Sequence, residues 1–146
     1  MALAIGLTHS NLHVVKPEES AAKVGSGLVD VYATPAMIAL CEKTASETVQ
    51  PDLAENEVTV GTEIHINHTN AVKIGKEVKC TAQLIKIEGR KLEFTVSAES
   101  KGETIGKGTH LRFIVDKEKF MQPHFLELLV SKIVKISSNS LVEVKL

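Results

Sequence analysis

Three polar residues, Thr34, Glu42 and His68, stand where the surrounding sequence is apolar or structurally committed. Glu42 lies in the middle of an apolar stretch with helical spacing, beside Ile38, Ala39, Ala45 and Ser46. A carboxylate among such neighbours is costly to bury unless paired, and burial would raise its pKa toward the range where a carboxyl works as general acid or base. The same spacing lets the helix turn Glu42 outward beside Lys43 and Glu47, and on periodicity alone that is the simpler reading. His68 ends an alternating segment on its apolar side. An imidazole there can move a proton near neutral pH, although a lone histidine in such a place is ordinarily a satisfied core or rim residue. Thr34 precedes Pro35, and an N-cap role suffices to explain it. Alternatively its hydroxyl, at the positive end of a helix, faces a reacting carbonyl or water. Gly61 reads either as a bulge or as a point where a ligand nears the backbone.

Other candidates are weaker. His65 and His68 are three apart on a strand and point to opposite faces, so no metal site is assigned. His9, His13, His110 and His124 have no companion pattern and read as surface or loop residues. Cys41 and Cys80 have no CxxC neighbour and read as buried thiols rather than a zinc or redox site. Lys73, Lys76, Arg90 and Lys107 are candidates for anionic groups of a ligand, although scattered cations are ordinarily solvated surface.

These residues need elements to hold them. Thr34-Pro35 opens a helix over residues 36–49 that is apolar nearly all round its first turns, the pattern of an enclosed helix, and Pro51 stops it. Alternation predicts a strand at 58–68 with Val58, Val60, Ile64, Ile66 and His68 on one face, and another at 77–87 with Val78, Cys80, Ala82 and Leu84 inward. A turn at Glu88-Gly89-Arg90 leads to a strand presenting Leu92, Phe94, Val96 and Ala98. A second turn at Lys101-Gly102-Glu103 leads to a strand with Ile105, Thr109, Leu111, Phe113 and Val115 on one side. The four strands read as an antiparallel meander, and residues 23–32 suit a strand before the helix. A buried helix followed by a twisted antiparallel sheet packs economically when the sheet curls around it, which is the α+β hotdog fold. The division is residues 1–116 as one domain and 117–146 as a C-terminal extension, with a helix at 124–136 and a strand at 141–146.

Composition bounds the rest. With 146 residues there is room for one domain, and 43% apolar with 24% charged residues is ordinary for a globular chain. A net charge of −1 and only 3% aromatics, with no tryptophan, speak against nucleic acid as a partner. The start MALAIGLTHSNLH lacks the basic and long apolar regions of a secretory signal, and no run approaches a membrane span, so a soluble cytoplasmic protein without a membrane partner is expected.

Together, Ala33-Thr34-Pro35-Ala36 with Glu42, Val60-Gly61-Thr62-Glu63 with His68, and Gly106-Lys107-Gly108-Thr109-His110-Leu111-Arg112-Phe113 closely resemble the fluoroacetyl-CoA-specific thioesterase family of hotdog proteins, over about residues 8–116. The resemblance implies that Thr34, Glu42 and His68 form the catalytic group, that Gly61 offers its backbone to the acyl thioester, and that Arg112 helps to bind or orient it. It also implies an acyl-CoA substrate, a homodimer with sites at the interface, and neither metal nor redox cofactor. Where the specialised family members carry gating phenylalanines, this chain has Val24-Gly25-Ser26-Gly27-Leu28, which points to a broader short- or medium-chain acyl-CoA. Two other outcomes stay open: a non-catalytic acyl-CoA-binding or regulatory module, and a hotdog dehydratase or other thioester lyase.

Overall fold

A computed structural model describes residues 2–122. Five antiparallel strands form one sheet: β1 (Thr8–Val14), β2 (Glu57–Ile66), β3 (Glu77–Glu88), β4 (Lys91–Ser100) and β5 (Glu103–Asp116), ordered β1-β3-β4-β5-β2. A short helix α1 (Ala21–Val24), the central helix α2 (Thr34–Val49) and the short helix α3 (Lys117–Met121) complete it. α2 packs against β3 and β4 and also reaches both edge strands, β1 and β2, so the sheet wraps around it as the hotdog fold requires.

α2 is one-sided. Met37, Leu40, Cys41, Thr44, Ala45, Thr48 and Val49 are buried at three- and four-residue spacing, whereas Ala39, Lys43 and Glu47 are exposed. The expectation of an enclosed helix is corrected for a single chain, because the apolar residues of its opposite flank have no sheet to cover them. Two threonines are tolerated in the buried face because each hydroxyl donates to a carbonyl one turn back, Thr44 Oγ1 to Leu40 O and Thr48 Oγ1 to Thr44 O, both at 2.7 Å. Opposite them Val78, Cys80, Ala82 and Leu84 of β3 and Leu92, Phe94, Val96 and Ala98 of β4 face inward, as their alternation predicts. Each large side chain so buried contributes on the order of 1.5–3 kcal/mol. The two thiols lie within this core, Cys80 Sγ 3.5 Å from Cys41 Sγ, both reduced.

Four expectations change. The strand proposed at 23–32 is instead α1 and a turn with isolated bridges, Ser20 to Tyr32 and Val31 to Lys73; the first strand is Thr8–Val14. Its apolar residues Leu12 and Val14 are exposed, so it carried no inward alternation to read. The meander holds only for β3, β4 and β5, because β2 pairs with β5 at the other edge. In β2 a register shift between Gly61 and Glu63 inserts Thr62 as an extra residue, so the single even-numbered face breaks there: Thr59 is buried before the bulge and Ile64 and Ile66 pack on the core after it. In β5 another irregularity, opposite Ala98 and Glu99, changes the phase, so that His110, Arg112 and Ile114 face inward while Phe113 is exposed. β5 ends at Asp116, whose side chain caps α3 by accepting from Lys119 N at 3.0 Å. The helix and strand expected at 124–136 and 141–146 lie outside the described residues.

Candidate active site

His68 is placed by a crossing rather than by a strand. β2 ends at Ile66, two residues before it. The chain then leaves along β5, with Asn67 N donating to Lys107 O at 3.2 Å and Thr69 N to Ile105 O at 2.7 Å, and passes Tyr32, whose N–H donates to Val72 O at 2.7 Å. This path runs beside the start of α2. It is possible because β5 carries glycines there: a Cβ on Gly108 would collide with the His65 carbonyl. The crossing brings His68 Nδ1 within 2.8 Å of Thr34 Oγ1. Thr34 is thus the first helical residue and Ala33 takes the N-cap position, so the N-cap expectation is corrected: the hydroxyl is turned to the imidazole, and no side chain caps the helix. His68 Nε2 is buried and has no hydrogen-bond partner among the described residues. Burial lowers the pKa of His68, partly opposed by the nearby Asn70 backbone, which favours the neutral ring. Thr34 and His68 line a cavity of about 240 Å³ together with Ser26, Val31 and Tyr32.

Glu42 belongs to a different cluster. Its carboxylate lies 3.5 Å from Arg112 Nη1, with 41% of the Glu42 side chain exposed against 9% for Arg112. Its place on the flank of α2 is neither fully outward nor in the core. Arg112 is fixed from the far side, where Nε donates to Thr59 Oγ1 at 2.8 Å and Nη2 to Thr59 O at 2.9 Å. Nη1 lies 3.1 Å from His110 Nε2, and His110 Nδ1 lies 2.8 Å from Glu63 O. Gly61 faces this cluster: a Cβ there would stand 2.6 Å from Glu42 Oε2 and 3.2 Å from both Arg112 Nη1 and His110 Cε1. Glu42, Gly61, Thr62, Glu63, Ile64 and His110 line an open cavity of about 260 Å³.

The five site residues read from the sequence therefore fall into two groups within one chain, Thr34 with His68 and Glu42 with Gly61 and Arg112. Thr34 and His68 line one cavity, and Glu42 and Gly61 another. Of the basic candidates, Lys73 and Lys76 join Lys101 around an open cavity of about 460 Å³ that shares Asn70 and Ala71 with the His68 cavity, whereas Arg90 pairs with Glu57 at 3.1 Å. Sequence reasoning missed His110, expected at the surface and found 1% exposed. The signal was its spacing: two residues apart on a strand, His110 and Arg112 share a face. Among the described residues no group of three potential ligands could hold a metal ion.

Comparison with known proteins bears on this geometry. Residues 15–118 match the family described as fluoroacetyl-CoA-specific thioesterase. The fluoroacetyl-CoA thioesterase of Streptantibioticus cattleyicolor is 40% identical over 91 residues, which span 62% of this chain and 66% of that protein. A point mutant of the fluoroacetyl-CoA-specific thioesterase FlK, solved with fluoroacetate and CoA, superposes with a TM-score of 0.77 at 32% identity, covering 81% of this chain and 99% of that one. A thioesterase-superfamily member from Thermus thermophilus superposes with a TM-score of 0.75 at 26% identity, covering 94% and 97%.

Proposed function

Because the chain belongs to the fluoroacetyl-CoA-specific thioesterase family, a family of thioester hydrolases, we propose that it hydrolyses an acyl-CoA thioester to a carboxylate and free CoA at a site shared between two copies of the chain. The observation behind the shared site is the separation of the two groups. Thr34 and Glu42 are eight residues apart on one helix, ~12 Å along its axis, and open into different cavities. Among the described residues β2 is an edge strand, with no strand paired to its outer side next to Gly61 and Thr62. Pairing this edge antiparallel with its symmetry mate runs the two α2 helices in opposite directions, which carries the Glu42 turn of one copy toward the Thr34–His68 end of the other.

In such a site Glu42 serves as base for water or as nucleophile on the thioester carbon, held beside Arg112. His68, neutral and with Nε2 free, exchanges a proton with water or the leaving thiol, and Thr34 fixes the ring through Nδ1. Gly61 lets the acyl group approach the backbone, and its N–H or those of the first α2 turn hold the developing oxyanion, with Arg112 orienting the thioester. The Lys73–Lys76–Lys101 cavity lies beside the His68 cavity and suits the phosphates of CoA. Residues 24–28 carry no aromatic side chain and Leu28 is 97% exposed, which supports a short- or medium-chain acyl group rather than a dedicated fluoroacyl pocket. The catalytic unit is assigned to residues 1–116, with 117–146 an extension, and the free thiols suit a cytoplasmic setting.

Thiol release from a panel of acyl-CoAs tests the reading. Turnover by the wild type, lost in Glu42→Ala and His68→Ala, supports it, and turnover that survives both substitutions removes these residues from the site. Tight binding without turnover favours a binding module, and substrate loss without thiol favours a lyase.

A further inference from the structure

His110 has no role in the chemistry proposed above, yet it is among the most enclosed polar side chains of the molecule, 1% exposed between β2 and the flank of α2. Its hydrogen bonds leave one protonation state. The Glu63 carbonyl can only accept, so Nδ1 carries the hydrogen; the Arg112 guanidinium can only donate, so Nε2 presents its lone pair. The β2 bulge makes this arrangement possible, because the extra residue Thr62 turns the Glu63 carbonyl toward β5. Burial lowers the pKa of His110, the Glu63 bond opposes this, and the Arg112 charge adds to the lowering, in accord with a neutral ring. Arg112 is then held at three points, twice on Thr59 and once on His110, and its Nη1 is directed at the Glu42 carboxylate.

We propose that His110 is a positioning residue of the thioesterase site: as the neutral Nδ1–H tautomer it bridges the β2 bulge to Arg112 and so sets the guanidinium against Glu42. The inference rests on the thioesterase reading for its kinetic consequence, but not for the bridge itself. Two substitutions separate the two ends of the imidazole. Glutamine can place its carbonyl oxygen near Nε2 and still accept from Arg112, whereas asparagine can place its amide N–H near Nδ1 and reach only Glu63.

The experiment measures kcat and KM of His110→Gln, His110→Asn and His110→Ala, alone and with Arg112→Gln, together with thermal unfolding and the imidazole nitrogen shifts of the wild type by NMR. The expected result is a fall in kcat of about 10- to 100-fold in His110→Asn and His110→Ala with KM nearly unchanged, recovery to within about fivefold in His110→Gln, and little further loss when Arg112 is already Gln. The nitrogen shifts should report Nδ1–H. Equal losses in the Gln and Asn variants, losses that multiply with Arg112→Gln, or an Nε2–H tautomer overturn the proposal. If the wild type releases no thiol, the thioesterase reading fails, while the tautomer and the coupling of His110→Asn to Arg112→Gln in thermal unfolding still decide whether the bridge exists.

Discussion

The two halves of the site are built in opposite ways. Thr34 and His68 are joined by one side-chain hydrogen bond at the meeting of a helix start and a crossing segment, with Nε2 left bare. Glu42 faces a guanidinium that is itself locked by Thr59 and His110 on paired strands. The strand-built half is complete within one chain and sets its electrostatics in advance, which makes charge stabilisation effective. The crossing-built half ends in a ring nitrogen with no partner among the described residues. The proposed roles, Glu42 as base or nucleophile and His68 as proton carrier, fit a site that closes only when two copies meet.

This contrast can be broken at several points. The largest effect is expected at the carboxylate: Glu42→Gln should lower kcat by about 10³-fold or more while the fold survives, because the side chain is partly exposed and removal of a base or nucleophile typically costs 10²-fold and upward. Residual activity above a tenth of wild type in the acyl-CoA assay would assign Glu42 a passive role. His68→Ala should cost about 10²- to 10³-fold in kcat, again with little change in thermal stability. Gly61→Ala comes next. Its methyl would stand 2.6 Å from Glu42 Oε2, so the carboxylate must move, and a shift of that size costs about 10²-fold in rate with KM less affected.

Stability against pH gives a smaller, distinct signature. His68 and His110 both have their pKa lowered from 6.5, chiefly by burial. As pH falls below that value the unfolded chain takes up protons that the folded rings resist, so stability is full above about pH 6.5 and declines below it. Glu19 and Asp116, held below 4.5 and 3.8, add their own loss only at lower pH. Melting temperatures from pH 7.5 to 5 should show the first decline, and His110→Gln should flatten it; an unchanged slope would mean that the ring is not held neutral by the fold.

What was legible in the sequence follows from which physical signals are local. The position of α2 was readable from Thr34-Pro35 and Pro51, and β3 and β4 from strict apolar alternation and their flanking turns, although the one-sidedness of α2 was not. β1 was not, because its inward positions His9, Asn11 and His13 are polar and its apolar residues point out. The bulges in β2 and β5 were invisible, since one inserted residue reverses a face without altering composition, and that cost both Thr59 and His110. Thr34, Glu42 and His68 were singled out as candidates through their spacing relative to a known family, and periodicity alone favoured bland readings for all three. The separation into two groups was foreshadowed by helix geometry, since eight residues of α-helix put Thr34 and Glu42 ~12 Å apart.

Subunit complementation tests the shared site most directly. Glu42→Ala and His68→Ala chains, each inactive alone, are unfolded together, refolded and assayed for thiol release. If each site takes Glu42 from one copy and His68 from the other, a mixed dimer holds one intact site, and random pairing restores about a quarter of wild-type activity. Mixtures that stay as inactive as either parent, with mixed dimers demonstrated by mass, would contradict the account.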